Sequence, residues 1–170
     1  MELNNSERLR NAFGYAEGKT VKLARAKASC IYDVENDMII TSKIATYTTG
    51  ERDIAIELIE KLKQMGLKND LIFFDRGYPS RNFFAYLEGS GVKYLMRVKA
   101  LSMKEVNEAM KPDQVVEINV NGKTIKVRVL RFMLDSGIEE VLVSNLWDES
   151  LGIQEFKALY FKWWGIGVSS

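Results

Sequence analysis

Leu71-Ile72-Phe73-Phe74-Asp75-Arg76-Gly77-Tyr78 decides the fold. Four apolar residues run into an acid, and a glycine follows two positions later. A short apolar run of this kind, closed by turn residues, reads as a buried strand ending in a tight turn. In open α/β sheets, ligands bind just beyond the C-terminal ends of the strands. Asp75 therefore stands where a catalytic carboxylate would stand. No partner carboxylates for it are evident elsewhere in the chain.

The segments on either side agree with an α/β reading. Downstream, Pro79 or Ser80 opens a helix carrying Phe83, Phe84 and Leu87, and Gly89 and Gly91 close it. Val92 to Val98 reads as the next strand. Upstream, Ile54, Ile56, Leu58, Ile59, Leu62 and Met65 follow helical spacing up to Gly66. Before that helix, alternation from Val21 to Tyr32 and the run Met38–Ile44 predict two strands joined by a turn over Asp33–Asp37. Residues 5–13 read as a short helix or turn, with Asn5 or Ser6 as its cap. The order strand, helix, strand, helix, strand from residue 38 is a βαβ pattern with parallel pairing.

After a short helix within 101–110 the apolar period becomes two. Val115 to Val120, the hairpin signal Asn121-Gly122, Ile125 to Val129 and Ile138 to Asn145 predict an antiparallel insert at about 112–146. A final helix over 153–164 presents Phe156, Leu159, Tyr160 and Trp163 as its apolar face.

Composition narrows the chemistry. The chain has 170 residues, 46% hydrophobic and 28% charged, which suits one globular domain with a substantial core. It holds no apolar stretch long enough for a transmembrane helix, and its polar N-terminus is not a secretory signal. The single cysteine, Cys30, excludes an internal disulfide and fits a reducing cytoplasm. Histidine is absent, which removes His-based triads and nearly every zinc site. Metal chemistry here must rest on carboxylates, which favour Mg²⁺ or Mn²⁺. The net charge of +1 hides two basic stretches, at 8–27 and 76–99, against acids collected at 51–60 and 135–155. That asymmetry suits either a polyanion-facing surface or a solvated face.

Each candidate residue has two readings. Asp75 is a metal ligand, or else an acid capping the next helix or pairing with Arg76 or Arg81. Asp33, Asp37 and Asp53 could join Asp75 as metal ligands, or else Asp33 and Asp37 fit turn geometry and Asp53 fits a helix N-terminus. Arg97 and Lys99 follow a strand and can contact phosphate or simply face solvent. Trp163 and Trp164 suit base stacking or burial. Gly77 supplies either a positive φ or close packing.

Taken in order, Asp75-Arg76-Gly77-Tyr78, Tyr94-Leu95-Met96-Arg97-Val98-Lys99, a β-rich insert and Leu159-Tyr160-Phe161-Lys162-Trp163-Trp164-Gly165-Ile166 resemble bacterial insertion-sequence transposases with a DDE domain. They resemble in particular the subgroup whose last helix carries a Tyr-x2-Arg-x3-Glu-x6-Lys signature. The resemblance spans essentially the whole chain. It implies an RNase H-like mixed sheet with flanking helices, and a single domain over 1–170. It also implies cutting and joining of DNA at transposon ends, with two divalent metals held by Asp, Asp and Glu. Two such ions lie about 3.5–4 Å apart, so several carboxylates are needed to offset their repulsion.

By resemblance Asp75 is the second acid and a metal ligand. Arg76, Tyr78, Arg97, Lys99 and Tyr160 become DNA-contacting candidates, and the partners are transposon-end DNA, a second copy or an intact transposase. The sequence departs from the family pattern at four points. The first acid belongs to a strand ahead of Asn5-Ser6-Glu7-Arg8, position 167 is Gly167 where the third acid is due, Trp163 stands where the arginine is due, and the signature's downstream lysine has no counterpart. The expectation is a fragment truncated at both ends, lacking its first strand and without catalytic activity. It would be cytoplasmic and nucleoid-associated, and would either leave a gap in the sheet or rebuild it. The competing expectations are a DNA- or transposase-binding remnant and a non-transposase RNase H-like nuclease.

Overall fold

The computed structural model describes residues 7–13, 15–17, 22–24, 26–33, 38–46, 48–66, 71–99 and 103–164. Two compact units divide the chain, residues 1–68 and 69–170. The first unit contains helix α1 (Glu7–Phe13), strands β1 (Tyr15–Glu17), β2 (Lys22–Ala24), β3 (Ala26–Asp33) and β4 (Met38–Thr46), and helix α2 (Glu51–Gln64). The second contains β5 (Leu71–Phe74), α3 (Arg81–Ser90), β6 (Lys93–Val98), α4 (Lys104–Glu108), β7 (Asp113–Val120), β8 (Lys123–Met133), β9 (Glu139–Ser144) and α5 (Ile153–Trp163).

In the first unit β3 and β4 form an antiparallel hairpin, paired from Ala26↔Thr46 to Asp33↔Met38. The alternation read as one strand from Val21 is thus two, β2 and β3, and β2 pairs with β1. Helix α2 packs Ile54 and Leu58 against Ala45 of the hairpin, with Ile31 at the margin. Glu51 and Asp53 occupy its first turn, where the helix dipole favours acids, and Gly66 beyond its last turn takes φ +75°.

The second unit is a five-stranded mixed sheet in the order β5-β6-β9-β8-β7, flanked by helices, consistent with an RNase H-like fold. Strands β5 and β6 are parallel, from Leu71↔Lys93 to Phe74↔Met96. The β-rich insert extends this same sheet. Strand β9 inserts between β6 and β8, and the β7–β8 hairpin follows. Asn121 (φ 51°) and Gly122 (φ 80°) make the two-residue turn that the Asn-Gly pair predicts. Among the described residues β5 pairs with β6 alone, so its other edge carries no strand.

Alternation along the strands gives this sheet two apolar faces. On one, Phe74 and Tyr94 meet Phe83 and Phe84 of α3, with ring centroids 5.2 and 5.7 Å apart. On the other, Leu95, Leu130, Phe132 and Leu142 pack with Phe156 and Tyr160 of α5, and Leu71 and Phe73 border them. A strand buried on both faces must be apolar at nearly every position, which accounts for the unbroken runs in β5, β6 and β9.

Local chemistry sets the helix ends. Ser80 caps α3 by accepting from the Phe83 N–H at 3.1 Å, and Gly91 closes it at φ 71°. Gly89, read from sequence as a second terminator, lies inside the last turn of α3. The Glu155 side chain reaches back to accept the Gly152 N–H at 2.7 Å at the start of α5. Asn145 extends the β6–β9 ladder with its side chain, accepting the Tyr94 N–H at 2.9 Å and donating to the Val92 carbonyl at 2.7 Å.

Candidate functional site

The parallel β5–β6 pair brings two residues named from sequence to one strand end. In parallel register Asp75 continues the step beyond Phe74↔Met96, so it lies beside Arg97. Both belong to the face covered by α5, because they alternate with Phe73 and Leu95. Arg97 donates to Asp75 Oδ1 from Nε at 2.9 Å and from Nη2 at 2.7 Å. The Arg76 backbone N–H donates to the same oxygen at 2.7 Å. The Tyr78 N–H returns to the Asp75 carbonyl at 3.1 Å and closes the turn.

Partial burial pushes the Asp75 carboxyl upward. The Arg76 N–H and the Arg97 guanidinium outweigh that effect and hold it below the ordinary aspartate value.

Arg97 is itself held. Its side chain is 17% exposed, against 59% for Asp75. The guanidinium lies 5.3 Å from the Trp164 ring centroid. The Tyr160 hydroxyl accepts from Arg97 and donates to Glu140. Burial, and then the nearby Glu140 charge, raise the Tyr160 phenol above its ordinary value, with Arg97 opposing. Glu140, on β9, has a side chain only 4% exposed, and it pairs with the Arg76 guanidinium. Asp75, Arg97, Tyr160, Glu140 and Arg76 thus form one connected network of two acids, two arginines and a phenol.

The remaining candidates lie elsewhere. Tyr78 packs on Phe74 and Phe83, with centroids 5.4 and 6.1 Å away, on the α3 face. Lys99 is exposed just beyond β6. Trp163 and Trp164 pack against Phe73, at 4.9 and 5.6 Å, which is the burial reading of that pair. Asp37 lies outside the described residues, and Asp33 is described only as backbone of β3. Arg81, a candidate partner for Asp75, instead makes a double hydrogen bond with Glu105 at 2.8 Å and 2.8 Å. Positive φ among the described glycines occurs at Gly66, Gly91, Gly122 and Gly137, so the turn at Gly77 is made without the left-handed region.

The description "Transposase DDE domain" matches residues 6–165, nearly the whole chain. The chain belongs to the transposase DDE domain family. No curated relative matches it. Membership carries transposition as the general function and DNA as the general partner. Among the described residues no helix is long and apolar enough to cross a membrane.

Transposase DDE domains generally work with divalent metals, and the donor set at Asp75 does not fit such ions. Among the described residues no group of three His, Cys, Asp or Glu side chains could hold a metal. The second carboxylate of the network, Glu140, is turned to Arg76 and Tyr160. The nearest cationic group to Asp75 is already a guanidinium.

Sequence reasoning missed Glu140 and the stacking of Arg97 on Trp164. A signal for Glu140 existed. In the alternation Glu140, Leu142, Ser144 an acid takes an inward position, and an inward acid needs a cation. Its partner lies 64 residues away in sequence, beyond the reach of local pattern.

Proposed function

We propose that this chain is the RNase H-like DDE domain of an insertion-sequence transposase, directed to DNA and without strand-transfer activity as it stands. The observation that carries the reading is the family match over 6–165, with Asp75 at the C-terminal end of a strand in a parallel pair. The DDE domain in this reading is one domain over 1–170 with its β insert at 112–146, of the subgroup with the tyrosine signature on the last helix. Asp75 descends from the metal-binding acids, and Arg76, Arg97, Lys99, Tyr78 and Tyr160 from DNA-contacting positions. Its partners are transposon-end DNA and a second copy or an intact transposase, in the nucleoid.

The chemistry of the described residues supports the reading without catalysis. Two divalent ions in close approach need several carboxylates, and Asp75 stands with an arginine bonded to it. That pairing also favours a second reading, a module that binds DNA or a transposase without cutting.

A nicking and strand-transfer assay with Mn²⁺, run beside Asp75→Ala, tests both readings. The expected result is DNA retention that weakens with salt, and no cleavage above the variant. Cleavage abolished by Asp75→Ala refutes inactivity. Cleavage that survives it assigns a nuclease to a different site. No DNA retention at low salt refutes the DNA-directed reading.

A further inference from the structure

We infer that Arg97 is the resident counter-cation of Asp75, and that it closes this carboxylate to a divalent metal ion. The inference shares Asp75 with the reading above but needs neither DNA nor catalysis.

Three observations carry it. First, all three hydrogen bonds to the Asp75 side chain end on Oδ1: two from Arg97, and one from the backbone of Arg76. The guanidinium places a full positive charge at hydrogen-bonding distance from the carboxylate, so an ion that took the other oxygen, Oδ2, would lie beside that charge.

Second, Arg97 is not a loose arm. Its guanidinium stacks on Trp164, its bonds reach the Tyr160 hydroxyl, and most of the side chain is out of solvent. Tyr160 is in turn fixed by Phe132, with centroids 5.3 Å apart and rings nearly perpendicular, and by Trp164 at 5.6 Å. Moving Arg97 off Asp75 therefore means breaking contacts with α5, not just rotating an exposed side chain.

Third, the network is charge-balanced. Asp75 and Glu140 face Arg97 and Arg76, so a dication brought to Asp75 meets a locally neutral cluster with a guanidinium at contact distance. Like charges held that close oppose binding even at a water-like dielectric. Glu140 does not relieve the conflict, because its carboxylate is buried and already paired.

The test is paramagnetic broadening by Mn²⁺ of backbone amide signals in the ¹⁵N-labelled full chain, which reads metal proximity without activity. Four proteins are compared: wild type, Asp75→Asn, Arg97→Gln, and the double variant. Wild type is expected to match Asp75→Asn, with no broadening centred on Phe74 to Tyr78. Arg97→Gln is expected to broaden those signals at about tenfold less Mn²⁺ than wild type, the order set by removing a unit charge beside a dication. Adding Asp75→Asn to it should abolish the effect.

Broadening around Asp75 in wild type at the Mn²⁺ level that suffices for Arg97→Gln overturns the inference. So does a folded Arg97→Gln that shows no localised broadening. If Arg97→Gln does not fold, Arg97→Lys replaces it. That variant keeps the charge but not the fork, and it should exclude Mn²⁺ as wild type does. Failure of DNA binding leaves all these outcomes readable, so the two readings fall separately.

Discussion

Replacing Arg128 by methionine is expected to destabilise the second unit by about 3–4 kcal/mol, the low end of the cost of breaking a buried ion pair plus a lost stacking contact. Arg128, on β8, is 8% exposed. Its five N–H groups make five hydrogen bonds. Nε and Nη2 reach Asp113 at 2.8 and 2.6 Å, Nη1 reaches the carbonyls of Leu146 and Asp148 at 3.0 and 3.2 Å, and Nη2 reaches the carbonyl of Leu151 at 2.6 Å. Its guanidinium also lies 4.9 Å from the Phe156 ring centroid. Removing it strands one carboxylate and three carbonyls. Asp113 is 31% exposed and regains some hydration, which places the cost at the low end.

Arg128→Lys discriminates between charge and shape. A lysine keeps the charge but has three donors and no planar fork, so about 2 kcal/mol should still be lost. Tryptophan fluorescence during urea unfolding is the assay, because Trp147, Trp163 and Trp164 all lie in the second unit. With a slope of about 1–2 kcal/mol per molar urea, the methionine variant should move the midpoint by more than about 1.5 M. If Arg128→Lys unfolds within about 0.5 kcal/mol of wild type, the five-bond argument is refuted, and charge alone explains the residue.

Acid should weaken the second unit in a defined direction. The Arg81 hydrogen bond holds Glu105 below the ordinary glutamate value, and Asp75 lies below the ordinary aspartate value. Acids depressed in the folded state contribute stability that is complete above the unfolded values and lost as pH falls through the folded ones. The urea midpoint should therefore drop between about pH 5 and pH 3, and Glu105→Gln should flatten that drop while lowering stability at neutral pH. Asn145→Ala removes the partners of the Tyr94 N–H and the Val92 carbonyl, and should cost about 1–3 kcal/mol. Hydrogen exchange at the Tyr94 amide checks it: Asn145→Asp, which keeps only the acceptor, should retain protection there.

Features written in adjacent residues were legible. Asn121-Gly122, Ser80, Gly91 and the run into Asp75 each carry a local rule, and each produced the element read from it. Neighbour choice among strands was not. The insert was visible as a meander, but nothing local tells β9 to slot between β6 and β8. Burial requires β9 to lie where helices cover both faces of the sheet, but β5 meets the same requirement at the edge, so the slot between β6 and β8 is set by pairing between distant strands. The site shows the same division. Asp75 was legible because strand end, acid and turn are contiguous. Its pairing with Arg97 spans 22 residues, and sequence proximity pointed instead to Arg76 and Arg81. Glu140 was hidden for a related reason: an acid beside an apolar run looks exposed until its distant arginine is known.

Helix α5 explains why the site and the core cannot be separated. Phe156, Tyr160 and Trp164 recur every four residues, so they form one stripe along the helix. Arg128 lies over Phe156, Tyr160 bonds with Arg97 and Glu140, and Arg97 lies over Trp164. Each turn of the stripe thus meets an arginine rising from the sheet, at one end β8 and at the other β6. An aromatic face is suited to this because it buries apolar area and still accepts a cation. Arg128 also ties down the carbonyls of Leu146, Asp148 and Leu151 in the segment leading into α5, so it sets where the helix begins. The geometry at Asp75 is therefore set partly from the far side of the sheet. Two of the arginines that a basic stretch suggested as phosphate contacts, Arg76 and Arg97, are engaged with Glu140 and Asp75. Nucleic acid that reaches them must compete with those carboxylates, whereas the exposed Lys99 beside them carries no such cost.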